Sequence, residues 1–153
     1  DEDDKKIANV HEGIDTTLTL LTHKTPSNTR IHKSYGEIPP ISCYPGKLNQ
    51  VFMNILSNAL DATEEKGDIF IQTEWKDEGN QLIQITFQDT GCGMSSKAQT
   101  QVFEPFFTTK DVGKGTGLGM SIAYGIIQQH GGTIEVSSNE GEGSEFRVCL
   151  PVS

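Results

Sequence analysis

The stretch from Gln81 to Asp89 places a carboxylate where its own pattern asks for an apolar side chain. Ile83, Ile85 and Phe87 alternate with Gln84, Thr86 and Gln88. This two-residue period predicts a strand with Asp89 on its apolar face, at the strand's end. A carboxylate turned toward a core is costly unless donors meet it. The chain must therefore fold so that N–H groups, its own or a ligand's, reach Asp89. The exocyclic amine of an adenine would suit such an acceptor. Gly91 and Gly93 follow in Asp89-x-Gly91-x-Gly93, and their lack of side chains would let a flat ligand approach the backbone. Taken alone, the motif reads equally well as a strand ending in an Asx-type turn.

The chain has 153 residues, the size of one domain with a real core. It contains no apolar run long enough to span a bilayer. A formal charge of −9 argues against a nucleic-acid groove, which needs a basic surface. An acidic chain can still hold a polyphosphate where backbone N–H groups and a metal act locally. Cys43, Cys92 and Cys149 are scattered and form no C-x-x-C, so they read as free thiols in a reducing compartment, with no zinc site. His11, His23, His32 and His130 lack ligand spacing and read as surface or loop residues. No signal peptide is expected from this sequence, and the start on Asp1 to Asp4 without Met reads as a piece of a longer protein.

Along the chain, a first helix is expected over about Ile7 to Thr22, weakened by Gly13 and the threonines. A strand near Arg30 to Tyr35 precedes a Pro-rich link, Ile38 to Pro45. The strongest helix is Lys47 to Thr63, where Leu48, Val51, Phe52, Ile55, Leu56 and Ala59 recur at three- and four-residue steps. Asp68 to Lys76 and Gln81 to Asp89 read as a hairpin around Asp77 to Asn80. Regularity is lost from Ser95 to Thr116 apart from a short helix near Lys97 to Val102. A helix from about Leu118 to His130 stops at Gly131-Gly132, and Thr133 to Ser137 pairs with Ser144 to Leu150. The mixture lacks a regular βαβ alternation. It predicts a two-layer α/β sandwich, a mostly antiparallel sheet with helices on one face.

Three further features bear on chemistry. Gln50, Asn54 and Asn58 are four apart and form a polar stripe beside Val51 and Ile55. A carboxamide oxygen there could ligate Mg²⁺, with phosphates and waters completing the octahedron, although a solvated helix face gives the same stripe. Gly113 to Gly119 runs into a helix start, where unpaired N–H groups and the helix dipole favour an anion. It matches neither a Walker A loop nor G-x-G-x-x-G. Between the glycine motifs, Phe103, Phe106 and Phe107 look like anchors of a mobile cover over a ligand. Lys110 and Lys114 add positive charge beside it, and two solvated loop lysines remain an equal reading.

Taken together, these motifs closely resemble the catalytic, ATP-binding domain of two-component sensor histidine kinases, within the GHKL superfamily. Asn54-x-x-x-Asn58-Ala59 resembles the N box, and Asp89-x-Gly91-x-Gly93 the G1 box, with Met94 at its end. Phe103-Glu104-Pro105-Phe106-Phe107 resembles the F box, and Gly115-Thr116-Gly117-Leu118-Gly119 the G2 box. The wording through Thr108-Thr109-Lys110 is similar to the nitrogen-regulation branch. The resemblance implies the Bergerat fold, ATP as ligand and Mg²⁺ on Asn58, with Asn54 a possible second ligand. It implies that Asp89 reads the adenine amine and that about Ser95 to Thr116 forms an ATP lid. Asn54 and Lys110 are the catalytic candidates it implies. By the same resemblance, Asp61, Gly91, Gly93, Met94, Phe103, Phe107, Thr109, Lys114, Gly115, Thr116, Gly117, Leu118 and Gly119 are expected to line the nucleotide. The γ-phosphoryl would pass to a histidine on a helical dimerisation domain of the same protein, outside this chain. From there it would reach the receiver domain of a response regulator. A monomeric, cytoplasmic domain within a homodimeric parent is expected.

Two departures stand out. His11-Glu12 continues without the Pro of a phosphoacceptor motif, so His11 is not expected to accept phosphate. Asp61 stands where many such kinases carry a phosphate-binding lysine, so positive charge is expected from the lid lysines. Asn-Ala-Leu-Asp-Ala is also similar to the ATPase members of the superfamily. Those carry a glutamate where Asn54 stands, and an asparagine cannot activate water as a base. A degenerate nucleotide sensor and a serine-directed anti-sigma kinase are the remaining alternatives, the latter weakened by the F box.

Overall fold

The computed structural model of the chain describes residues 4–63, 66–107 and 118–153. Its elements are β1 (Lys6–Ala8), α1 (Val10–Leu20), β2 (Thr29–Tyr35), β3 (Ile41–Cys43), α2 (Pro45–Thr63), β4 (Gly67–Glu78), β5 (Asn80–Asp89), α3 (Ser96–Gln101), α4 (Gly119–Gln129), β6 (Thr133–Asn139) and β7 (Gly143–Pro151). A single 3-10 turn, Thr22–Lys24, follows α1. The main sheet runs β2-β4-β5-β7-β6, with β2 and β4 parallel and the other neighbours antiparallel.

The alternation read from β5 is the alternation observed. Ile83, Ile85, Phe87 and Asp89 are buried on one face together with Ile69 and Ile71 of β4 and Phe146, Val148 and Leu150 of β7. Against that face lies α2, whose Leu48, Val51, Phe52, Ile55, Leu56, Ala59 and Leu60 form its buried side. α4 adds Met120, Ala123, Ile126 and Ile127 to the same core. Each Val, Leu, Ile, Phe or Met side chain among them contributes about 1.5–3 kcal/mol on burial. The result is a two-layer sandwich with its helices on one face of a mostly antiparallel sheet.

Two local expectations change. The Pro-rich link contains strand β3, which pairs with β1 in a small antiparallel sheet, so the first helix begins at Val10 rather than near Ile7. Asn9 caps it, its side chain accepting the His11 N–H at 2.9 Å. The β4–β5 connection is also tighter than the four residues expected. The ladder runs out to Glu78 and Asn80, with Gly79 between them at φ +84°.

Candidate nucleotide site

Asp89 ends β5 as the sequence predicts, only 4% exposed. One carboxylate oxygen accepts the Gly91 N–H at 2.8 Å. Burial pushes its pKa above the ordinary carboxylate range, and the backbone N–H groups of Gly91 and Ser144 pull it part of the way back. Among the described residues it has no side-chain partner, so acceptor capacity remains for a ligand.

Gly91 and Gly93 have a packing purpose that the sequence does not show. A Cβ on Gly91 would lie 2.5 Å from the carbonyl oxygen of Ala62 and 2.8 Å from its Cβ. The neighbouring Cys92 N–H donates to that same carbonyl at 3.2 Å. Gly93 sits at φ +71°, and a Cβ there would run into the carbonyl oxygen of Asn139. The chain itself fills the space the glycines vacate. They let the loop thread between the end of α2 and the β6–β7 turn.

The α2 stripe divides by position. Gln50 is exposed, while Asn54 and Asn58 are half-buried. Asn54 Nδ2 donates to the carbonyl of Gly119 at 2.8 Å, tying α2 to the first turn of α4. Asn58 has no hydrogen-bond partner among the described residues. Asp61, its i+3 neighbour on the helix, pairs with Lys24 at 3.0 Å, and the Lys24 ammonium also donates to Ser57 Oγ at 2.6 Å. Positive charge therefore reaches this end of α2 from the turn after α1. Nothing in the local pattern around Lys24 marks it in the sequence.

Of the expected cover, residues 95–107 are described. Ser95 caps α3 by accepting the Ala98 N–H at 3.1 Å. Phe103 packs between Tyr124 and Phe146, with ring centroids 5.5 and 6.2 Å away. Phe107 is half-buried, but Phe106 is 74% exposed at φ +67°. The three phenylalanines are therefore not one anchor cluster. Gln99 supplies an anchor the sequence did not reveal: its Nε2 donates to the carbonyls of Ser138 at 2.7 Å and Met94 at 3.2 Å. Met94 is packed on the core and its N–H donates to Ser138 Oγ at 2.8 Å. Leu118 and Gly119 open α4, whereas Thr109, Lys110, Lys114, Gly115, Thr116 and Gly117 lie outside the described residues.

His23 and His32 are exposed as expected, but His130 and His11 are not. His130 is buried; its Nδ1–H donates to Ile126 O at 2.8 Å, and its Nε2 accepts the Tyr44 N–H at 3.1 Å. It ties the end of α4 to the start of α2 and is no surface residue. His11 stacks on Tyr35 at 4.1 Å with Nε2 2.7 Å from Thr73 Oγ1, and burial lowers its pKa despite nearby Asp15. Among the described residues no group of three His, Cys, Asp or Glu could hold a metal. Nor is any described helix long and apolar enough to cross a membrane.

Comparison with known proteins agrees with this geometry. Residues 43–153 match the sequence model described as histidine kinase-, DNA gyrase B-, and HSP90-like ATPase. Sporulation kinase E of Bacillus subtilis is 44% identical over 139 residues, which cover 90% of this chain and 18% of that protein. The sensory histidine kinase/phosphatase NtrB of Proteus hauseri is 33% identical over 152 residues, covering 94% of this chain and 43% of the relative. This match supports the nitrogen-regulation likeness of the Phe-rich motif. The solved catalytic domain of the histidine kinase ThkA superposes with a TM-score of 0.84 at 29% identity, covering 97% of this chain and 98% of that one. The chain spans under half the length of either curated relative.

Proposed function

Because the chain belongs to the histidine kinase-, DNA gyrase B- and HSP90-like ATPase family, we propose that it is the catalytic domain of a two-component sensor histidine kinase. In this reading it binds Mg-ATP and passes the γ-phosphoryl to a histidine on a separate helical dimerisation domain of the same protein. The phosphoryl then moves to an aspartate of a response-regulator receiver domain, and the work takes place in the cytoplasm. The observation that carries the reading is Asp89, a buried carboxylate with backbone donors and no side-chain partner among the described residues. An adenine amine offers the hydrogen bond that would offset its desolvation.

The remaining residues fit that substrate. Asn58 presents an open carboxamide and would hold Mg²⁺, which when bound neutralises charge on the phosphates. Lys110 and Lys114, with the N–H groups from Gly115 to Gly119, would receive the phosphates at a helix start. Phosphoryl transfer needs positioning and charge stabilisation more than covalent help from the protein. Asn54 serves positioning: its amide is committed to Gly119 O and cannot act as a base on water. Transfer is therefore favoured over hydrolysis.

The test uses the purified chain with labelled ATP. It should bind Mg-ATP and prefer it to GTP. It should hydrolyse little and label itself little, yet label a helical domain carrying the acceptor histidine when that domain is added. Rapid steady-state hydrolysis without transfer would instead support the ATPase reading.

A further inference from the structure

Ser138, on edge strand β6, stands at a junction between three parts of the molecule. Its hydroxyl donates to Gly143 O at 2.7 Å and accepts the Met94 N–H at 2.8 Å. Ser144 Oγ lies 3.0 Å away. A serine hydroxyl has one proton and two lone pairs. With that proton on Gly143 O, the Ser144 O–H must donate to Ser138. Ser144 is 8% exposed, and its backbone N–H is one of the two donors that lower the Asp89 pKa.

The backbone of Ser138 continues the chain of contacts in the other direction. Its N–H donates to Gln99 Oε1 at 3.1 Å while its carbonyl accepts Gln99 Nε2 at 2.7 Å. One carboxamide thus satisfies both polar groups of an edge-strand residue, as a neighbouring strand would. It ties α3 to β6 through two hydrogen bonds. From α3 the chain passes directly into Phe103, which is wedged between Tyr124 of α4 and Phe146 of β7.

We infer that Ser138 and Gln99 are positioning residues that couple occupancy of the Asp89 pocket to the placement of α3. The inference rests on the nucleotide reading above. A base that hydrogen-bonds Asp89 alters the demand on the Ser144 N–H. Ser144 shares its hydroxyl bond with Ser138, and Ser138 is clamped to Gln99 through its backbone. Every link is a hydrogen bond among buried or half-buried groups, where a lost partner is felt most. The coupling requires that α3 respond to adenine even when no γ-phosphate is present.

Hydrogen exchange with Mg-ADP tests this, in the wild type and in Gln99→Glu, Ser138→Ala and Ser138→Thr. Calorimetry of wild type with ADP comes first: no binding there would sink the nucleotide reading, and the coupling with it. Given binding, ADP should slow exchange of the amides at 96–101 about tenfold in the wild type, the worth of one hydrogen bond. Gln99→Glu keeps the acceptor and removes the donor to Ser138 O. Ser138→Ala removes the hydroxyl junction. Both should bind ADP within about threefold of wild type yet lose the protection of α3, and Ser138→Thr should restore it. Tenfold protection retained in Gln99→Glu and Ser138→Ala would overturn the coupling. So would a loss of protection matched by an equal loss across β4, β5 and β7, because that is only a weaker fold.

Discussion

Asp89→Asn separates what the carboxylate costs the fold from what it gives the ligand. In the folded chain the charge is 4% exposed and raised in pKa chiefly by burial, so ionised Asp89 is a net burden that two backbone N–H groups only partly offset. Asparagine has the same shape, keeps one oxygen for the Gly91 N–H and carries no charge. The ligand-free variant should therefore melt at the same temperature as the wild type or higher. Binding should move the other way. A hydrogen bond to a charged acceptor is worth about 1.5–3 kcal/mol, so ATP affinity should fall roughly 10- to 150-fold. Preference for ATP over GTP should collapse with it. Calorimetry and thermal melts on one preparation give both readouts. An affinity loss under about threefold would refute the adenine role. A melting temperature more than about 4 °C lower, on the order of 1–2 kcal/mol for a chain this size, would show that the charge itself holds the fold.

The pH dependence of the same residue follows by linkage. Its folded pKa lies above its unfolded one, so its stabilising contribution is complete below the unfolded value near 4 and is lost as pH rises through the raised folded value. The melting temperature of Asp89→Asn relative to wild type should therefore increase over that window, and a flat difference would remove the assigned cause. Gly91→Ala drives a methyl toward the Ala62 carbonyl at 2.5 Å, and overpacking of about 1–3 kcal/mol should lower the melting temperature by about 2–4 °C per kcal/mol. Phe103→Ala should cost about 1.5–3 kcal/mol in denaturant melts because its ring meets Tyr124 and Phe146. Phe106→Ala, at a side chain 74% exposed, should cost under about 0.5 kcal/mol, and equal costs would contradict the division between the two rings.

The parts of the fold legible in the sequence are those whose burial is one-sided. α2 and β5 repeat apolar residues at the period of their own geometry, so their faces and the carboxylate at the end of β5 can be read without a partner. β1 and β3 have three residues each, too few to show a period. They exist because each satisfies the other's backbone, which is tertiary information. His130 is not legible as a buried residue for a related reason. Its neighbours mark a helix end, but its two ring bonds go to Ile126 O one turn back and to Tyr44 N–H at a distant point in the chain.

At the site, residue type was legible and the reason for it often was not. The glycines after Asp89 signal close approach, yet sequence cannot say what approaches; on the Cβ side it is the chain itself, at the Ala62 and Asn139 carbonyls. Asn54 and Asn58 look equivalent at helical spacing, but α4 supplies Gly119 O to one and no described partner to the other. That asymmetry assigns them different work. A carboxamide already spent on backbone can hold two helices in register, while an unspent one can take a cation. The substitution Asn54→Asp should accordingly disturb the α2–α4 junction first, because a carboxylate cannot donate to Gly119 O. Asn58→Asp should leave that junction intact and change the response of nucleotide binding to Mg²⁺.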